Sequence, residues 1–214
     1  MTGLKILNVS HNAIEIIPKN TFPKLYELHT IDLSHNNLTT ITNAVFQTLF
    51  SLRNLNLSHN AMEVIKPPTF GTLPTLLDMD LSNNKLHDIA RGALTKLSSL
   101  RLLTLENNGL EKIFTIPISL NELNLRNNWI SRIEPRTWPS MNALLRLDLS
   151  NNQLGDSLAS DSFSGLLTLQ TVNLNQNGIS RVPWESLQVL STLQYLYLEV
   201  SFNFCPPLKY SPTK

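Results

Sequence analysis

Three histidines recur at equal spacing near the start of the chain. His11, His35 and His59 are 24 residues apart, and each belongs to the same short motif, in "LNVSHN", "IDLSHN" and "LNLSHN". Imidazole is a common zinc ligand and a general acid or base near neutral pH, so a metal site and a catalytic array are both candidates. The spacing offers a third interpretation, that the histidines recur because the chain repeats.

The rest of the chain has the same period. The pattern L-x-x-L-x-L-x-x-N-x-L, with other apolar residues allowed at the Leu positions, recurs in steps of 24 residues, except for one of 20 and one of 25. An internal repeat of this length indicates a solenoid, in which each repeat packs only on its neighbours. The copies, of which the ninth is imperfect, start at Leu4, Leu28, Leu52, Leu76, Leu100, Leu120, Leu144, Leu169 and Leu193.

Each copy predicts a short strand and then an inward turn. In the third copy Leu55 and Leu57 alternate with polar residues, so a strand there would bury both. An asparagine occupies the ninth position, where its amide can bond the unpaired backbone groups of a buried turn. These asparagines are Asn12, Asn36, Asn60, Asn84, Asn108, Asn128, Asn152 and Asn177. We expect nine parallel strands, centred near Ile6, Thr30, Asn54, Asp78, Leu102, Glu122, Arg146, Thr171 and Tyr195.

The returning half of most repeats carries a second apolar set. Large residues recur there, each followed three residues later by another apolar residue, which predicts a second buried spine along the back of the solenoid. The first members are Phe22, Phe46, Phe70, Leu94, Trp138, Phe163 and Leu187. The second members are Leu25, Leu49, Leu73, Leu97, Met141, Leu166 and Leu190.

Segments such as "LRNLNLSHNAM", "LNELNLRNNWI", "LLRLDLSNNQL" and "LQTVNLNQNGI" resemble the signature of the leucine-rich repeat family. The resemblance implies an α/β-type repeat fold: a right-handed horseshoe solenoid with a parallel concave β-sheet and mostly loops and short turns on the convex side. The 24-residue period with a Phe spine is similar to Toll-like receptor ectodomains and to adhesion glycoproteins of the chaoptin and connectin type. We expect the solenoid to span residues 1–200, followed by an irregular tail at 201–214.

The repeat also explains the histidines. Neighbouring parallel strands lie about 4.8 Å apart, which places the outer two histidines roughly 10 Å apart, too far for one tetrahedral zinc. No carboxylate or cysteine shares their column, and the later repeats place asparagine there. We therefore interpret the column as structural and expect no metal site.

Composition and motifs exclude other classes. The net charge of +1 leaves no basic stripe, so we do not expect nucleic acid as a partner. No apolar run approaches the roughly 20 residues that span a bilayer, and the start lacks the apolar core of a signal peptide. The chain contains no G-x-S-x-G, P-loop, H-E-x-x-H or C-x-x-C motif. We expect no catalytic residues and no cofactor.

Three N-x-S/T sequons, at Asn8, Asn37 and Asn56, favour glycosylation and a cell-surface or extracellular location. Asn37 lies just beyond a turn, whereas Asn8 and Asn56 fall on concave strands, where an unmodified polar face is an equal alternative. The repeat fails near the single cysteine, Cys205, where "NFCPP" resembles the tail of small leucine-rich proteoglycans. An unpaired cysteine indicates a missing partner, an intermolecular bridge or an end that is not the natural one, and we favour the last.

The outward side chains suggest where a partner binds. Arg and Tyr dominate binding hot spots, and they become frequent from the fifth repeat onward. We therefore predict a ligand-binding concave face at Arg101, Glu106, Glu122, Arg126, Arg146, Asp148, Tyr195 and Tyr197. The two tyrosines alternatively cover only the last repeat.

Two functions follow from this face. The first is a receptor or adhesion ectodomain that binds a protein ligand, with a homodimer left open. The second is a matrix protein of the small leucine-rich proteoglycan type that binds collagen or growth factors.

Overall fold

The computed structural model describes residues 3–43 and 45–200. The expected tail at 201–214, including Cys205, lies outside the described residues. The strands in chain order are β1 (Ile6–Asn8), β2 (Thr30–Asp32), β3 (Asn54–Asn56), β4 (Val64–Ile65), β5 (Asp78–Asp80), β6 (Asp88–Ile89), β7 (Leu102–Thr104), β8 (Glu122–Asn124), β9 (Arg146–Asp148), β10 (Thr171–Asn173) and β11 (Tyr195–Tyr197).

Nine of these strands form one parallel sheet, in the order β1-β2-β3-β5-β7-β8-β9-β10-β11. Parallel neighbours need a crossover, and the second half of each repeat supplies it. The prediction of nine parallel strands is confirmed. Each strand begins at the residue that we expected at its centre, because the central residue is the inward-pointing apolar one, such as Leu55 in β3. The sequence did not predict the second sheet, formed by β4 and β6.

The core is continuous along the solenoid. Leu55 and Leu57 are 2% and 0% exposed, as their alternation with polar residues predicted. All seven large residues of the convex spine are buried, and the Phe22 and Phe46 rings stack with centroids 5.5 Å apart. Within the described residues only one short helix occurs, α1 (Trp184–Leu187), so the prediction of scarce helix on the convex side holds.

Met141 was wrongly predicted to belong to the convex spine. It is 83% exposed, and its neighbour Asn142 is buried. The turn here is displaced by one residue: the Asn142 N–H donates to the carbonyl oxygen of Pro139, whereas in the second repeat the Leu49 N–H donates to that of Phe46. The Asn142 amide also donates to the carbonyl oxygen of Gly165 (2.8 Å), which stabilises the displaced turn.

The asparagine column acts as predicted. Asn152 Nδ2 lies within hydrogen-bond distance of the carbonyl oxygens of Leu125 (2.9 Å), Leu149 (3.0 Å) and Ser150 (3.2 Å). Its Oδ1 accepts the N–H of Ile130 at 3.0 Å. Each asparagine therefore satisfies backbone groups of its own turn and of the preceding repeat.

The residue before each ladder asparagine has a left-handed backbone. His11, His35 and His59 have φ of 54°, 53° and 53°, and the later repeats place Asn or Gln there at φ between 52° and 56°. Asn and His are enriched in this region among non-glycine residues. The column therefore selects residues that tolerate a left-handed turn, which is a sharper cause than the polar tolerance inferred from sequence.

Candidate functional site

The concave sheet offers two surfaces of different chemistry. We call the eight predicted binding residues, Arg101, Glu106, Glu122, Arg126, Arg146, Asp148, Tyr195 and Tyr197, the C-terminal patch. The corresponding outward residues of β2, β3 and β5 form the N-terminal patch: Thr30, Asp32, Asn54, Asn56, Asp78 and Asp80. Both patches lie on rigid neighbouring strands, whose parallel register fixes their spacing.

An ion pair lies at the centre of the C-terminal patch. Glu122 and Arg146 are register partners on β8 and β9, and Arg146 Nη1 lies 2.5 Å from Glu122 Oε1. Both side chains remain substantially exposed, so the pair contributes little to stability, on the order of 0–1 kcal/mol. Its charged groups stay available for a partner.

Other patch residues are held by amides on adjacent strands. Asn173 Nδ2 donates to Asp148 Oδ2 (3.1 Å), and Asp148 Oδ1 accepts from the Ser150 hydroxyl (2.6 Å). Asn124 Nδ2 donates to Glu106 Oε2 at 2.9 Å. These bonds orient the carboxylates before any partner binds.

The structure brings together half of the predicted patch. Glu122, Arg146, Asp148 and Tyr197 line one shallow depression of about 300 Å³, together with the outward residues of β7 and β10. The other four predicted residues do not line it, although each lies on the concave side or its rim. Tyr195 and Tyr197, on the last strand, are 57% and 50% exposed, so a large part of each ring remains open to solvent.

The N-terminal patch carries a second depression that the predicted site did not include. Its volume is about 290 Å³, and Asp32, Asp78 and Asp80 line it with no cationic side chain among its lining residues. Asn54 Nδ2 donates to Asp78 Oδ2 at 2.7 Å, and the backbone N–H of Ser82 donates to Asp80 Oδ1 at 2.8 Å. The polar positions of the strand alternation already placed these carboxylates on the concave side, but they lack the Arg and Tyr that directed the prediction.

The three predicted glycosylation sites differ in accessibility. Asn37 is exposed and follows a ladder asparagine, on the flank where the chain leaves the sheet. Asn8 is also exposed but lies on β1, and its Oδ1 accepts from the Ser10 hydroxyl of its own sequon (2.7 Å). Asn56 is half-buried, and its Oδ1 accepts from the hydroxyl of the buried Ser58 (2.8 Å). Glycosylation remains a prediction at all three, with Asn37 the most accessible of the later pair of sequons.

The histidine column is a stack of rings. The centroids of His11 and His35, and of His35 and His59, are 4.1 Å apart, with interplanar angles of 11° and 10°. Desolvation, followed by charge repulsion from His59 and His11, lowers the pKa of His35, while Asp32 opposes the shift. Among the described residues no group of three or more His, Cys, Asp or Glu side chains is arranged to hold a metal ion.

A smaller cleft of about 170 Å³ lies off the concave face, between the turns at Gly155 and Trp184. Asp156 lines it, and the Ser180 hydroxyl and backbone N–H both donate to its carboxylate. These two bonds, with a further contribution from Arg181, lower the pKa of Asp156. The carboxylate is therefore held ionised by a structural contact, which does not suit a general base.

Together, the parallel sheet, the asparagine ladder and the one-sided polar face define a repeat protein of the curved β-solenoid class. A family model described as "Leucine rich repeat" matches residues 2–62, 50–110 and 112–154, and a second matches residues 143–166. The chain belongs to the leucine-rich repeat family. Within the described residues no helix is long and apolar enough to cross a membrane.

Relatives of two kinds are similar to the chain. Lumican of Gallus gallus is 33% identical over 92% of this chain and 50% of its own length, and keratocan of Gallus gallus is 39% identical over 32% and 20%. The chain thus spans at most half the length of these relatives. Among solved structures, the TLR13–ssRNA13 complex matches 81% of this chain and 26% of that chain, with TM-score 0.73 and 29% identity. The APL1 leucine-rich repeat domain matches 92% and 49%, with TM-score 0.75 and 26% identity.

Proposed function

We propose that the chain is a non-enzymatic, extracellular protein-binding module whose ligand contacts the C-terminal patch. The observation that carries this proposal is the exposed ion pair of Glu122 and Arg146 beside the open Tyr197 ring, around one depression. Arg and Tyr combine a large contact area with directed hydrogen bonds, which makes them frequent hot-spot residues. A ligand can exchange its own charged groups with this pair at little cost, because the pair itself is weak.

A protein ligand fits the charge pattern better than a nucleic acid. Arg146 alternates with Glu122 and Asp148, so the patch lacks the continuous positive strip that a phosphate backbone requires. The TLR13 structure contains single-stranded RNA, which makes RNA a direct control. We expect no binding of single-stranded RNA to this chain at physiological salt, measured by fluorescence anisotropy.

Site-specific photo-cross-linking tests the proposed surface. A photoreactive amino acid replaces Tyr197 in one variant and Asn54 in a matched variant, and each is exposed to native extracellular protein. We expect a discrete adduct from the Tyr197 position only. Adducts from the Asn54 position alone would assign binding to the N-terminal patch and contradict the proposal.

The receptor and matrix versions of the function require different partners. Lumican and keratocan are extracellular-matrix proteins, and the lumican match over 92% of this chain favours the matrix version. The TLR13 and APL1 structures share the fold at slightly lower identity and support the receptor version. Direct binding to fibrillar collagen distinguishes them: saturable binding that Arg126→Glu with Arg146→Glu abolishes supports the matrix version.

A further inference from the structure

Exposed apolar residues are concentrated at one position of the repeat. Five of the twelve large exposed hydrophobic residues, and one exposed proline, lie immediately before a concave strand, on the side where the chain enters the sheet. We call this surface the entry flank: Tyr26, Phe50, Pro74, Ile118, Met141 and Leu167. Met141 reaches it because of the displaced turn in its repeat. A contiguous apolar strip of this kind marks an interaction surface more often than scattered single residues do.

Hydrogen bonds between neighbouring repeats show that the strip is continuous. The Thr75 hydroxyl, next to Pro74, donates to the carbonyl oxygen of Phe50 at 2.8 Å. The Ala143 N–H donates to that of Ile118 at 3.0 Å. Residues at this position of successive repeats are therefore side by side, about 5 Å apart.

The order of residues along the flank is self-complementary. Three apolar repeats (Tyr26, Phe50, Pro74) are followed by Ser98 and then by three more (Ile118, Met141, Leu167). A two-fold axis through Ser98 places Phe50 against Met141 of a second copy and exchanges the two apolar triplets. Isologous dimers require such a self-complementary surface. Arg101, the charged residue nearest the axis, reaches along the sheet to Asn121 Oδ1 (3.4 Å).

The charges of the convex side fit the same arrangement. In the first four repeats the convex segments contain five cationic residues and no acidic one: Lys19, Lys24, Lys66, Arg91 and Lys96. In the last four they contain three acidic residues and one cationic: Glu134, Arg136, Asp161 and Glu185. An antiparallel pair sets the basic half of each copy beside the acidic half of the other. The opposite charges would steer the copies into this orientation.

Area and glycan placement agree with a second copy as the occupant. Two strips about 29 Å long and about 20 Å wide bury roughly 1,200 Å² in total, within the range of stable interfaces. None of the sequons at Asn8, Asn37 and Asn56 lies on the entry flank. We infer that the chain forms an antiparallel homodimer through its entry flanks. Both concave faces remain open in this dimer, so the inference does not depend on the proposed ligand site.

Sedimentation velocity over a range of concentrations, with reducing agent to exclude a disulfide through Cys205, tests the dimer. We expect a dimer for the intact chain, and Phe50→Glu or Met141→Glu should each raise its dissociation constant at least about tenfold. Trp129→Glu is the matched control, because Trp129 is 58% exposed on the opposite flank. All three positions are exposed, so thermal midpoints should be unchanged. A monomer at every concentration, or a dimer broken by Trp129→Glu alone, overturns the inference.

A charge swap tests the orientation. Lys24→Glu should weaken the dimer, since Lys24 faces Asp161 of the second copy, and adding Asp161→Lys should restore it. Rescue by the double variant supports the antiparallel pair. Failure of rescue, with each single variant folded, contradicts the antiparallel orientation.

Discussion

The two ends of the concave sheet share one backbone and differ in chemistry. Leu57 and Leu149 occupy equivalent core positions and are both fully buried, and Asn36 and Asn152 make equivalent ladder bonds. The outward residues change from Asn and Asp in the N-terminal patch to mixed Arg, Glu and Tyr in the C-terminal patch. Outward positions contribute little to the core, so the repeat leaves them free to vary. The comparison teaches that stability is uniform along the solenoid while recognition is local.

The largest expected effect tests the uniform core. Leu57→Ala and Leu149→Ala should each lower the free energy of unfolding by about 2–5 kcal/mol, since each leaves a cavity at a fully buried site. Chemical denaturation measures both. A loss confined to one variant would show that the two halves do not share an equivalent core.

The ladder should give the next largest effect. Asn36→Ala and Asn152→Ala each leave buried backbone groups without partners, at a cost of about 1–3 kcal/mol. Gln153→Ala, at the exposed neighbour of Asn152, is the control and should leave the unfolding midpoint unchanged. Equal midpoints for Asn152→Ala and Gln153→Ala would contradict a stabilising ladder.

Recognition should separate the two halves. Arg126→Ala with Arg146→Ala should weaken partner binding about tenfold or more without lowering the thermal midpoint, because hot-spot contacts are lost while an exposed ion pair adds little stability. Asn54→Ala with Asn56→Ala should change binding little. Titration of the cross-linked partner against both variants measures this, and the reverse ranking would assign the site to the N-terminal patch.

The smallest expected effect is a pH dependence at the N-terminal end. The folded state lowers the pKa of His35, so the neutral ring is favoured on folding. The associated stability is present above the unfolded value of about 6.5 and is lost as pH falls through the lower folded value. Thermal midpoints between pH 7.5 and 5 should therefore fall slightly more for the parent chain than for His35→Asn. Asparagine occupies the equivalent position at Asn83, with φ of 52°, which makes it the matched replacement.

The sequence predicted the elements that the repeat determines. The positions of the parallel strands, the burial of Leu55 and the ladder bonds follow from a period that recurs in every copy. The placement of Met141 could not be predicted, because its spacing from Trp138 equals that of Leu49 from Phe46. Its exposure depends on the Asn142 amide bonding a neighbouring repeat.

The surfaces were harder to predict than the core. The entry flank was missed because its residues occupy positions that the repeat pattern leaves variable, and only stacking in space makes them a strip. Four of the eight predicted patch residues share a depression, since alternation assigns a face but not a distance. The binding role of the patch remains a prediction.

The asparagine ladder gives the growing polypeptide a direction. Asn60 Oδ1 accepts the Leu38 N–H, and Asn60 Nδ2 donates to the carbonyl oxygen of Leu33, so each asparagine completes the turn made before it. A ribosome that delivers one repeat at a time therefore finishes each rung only when the next one emerges. A chain shortened after Ala61 retains these bonds, whereas one shortened before Asn60 leaves the previous turn unfinished. We expect successive nascent lengths to gain protease resistance in steps of one repeat, each step beginning as a new ladder asparagine leaves the exit tunnel.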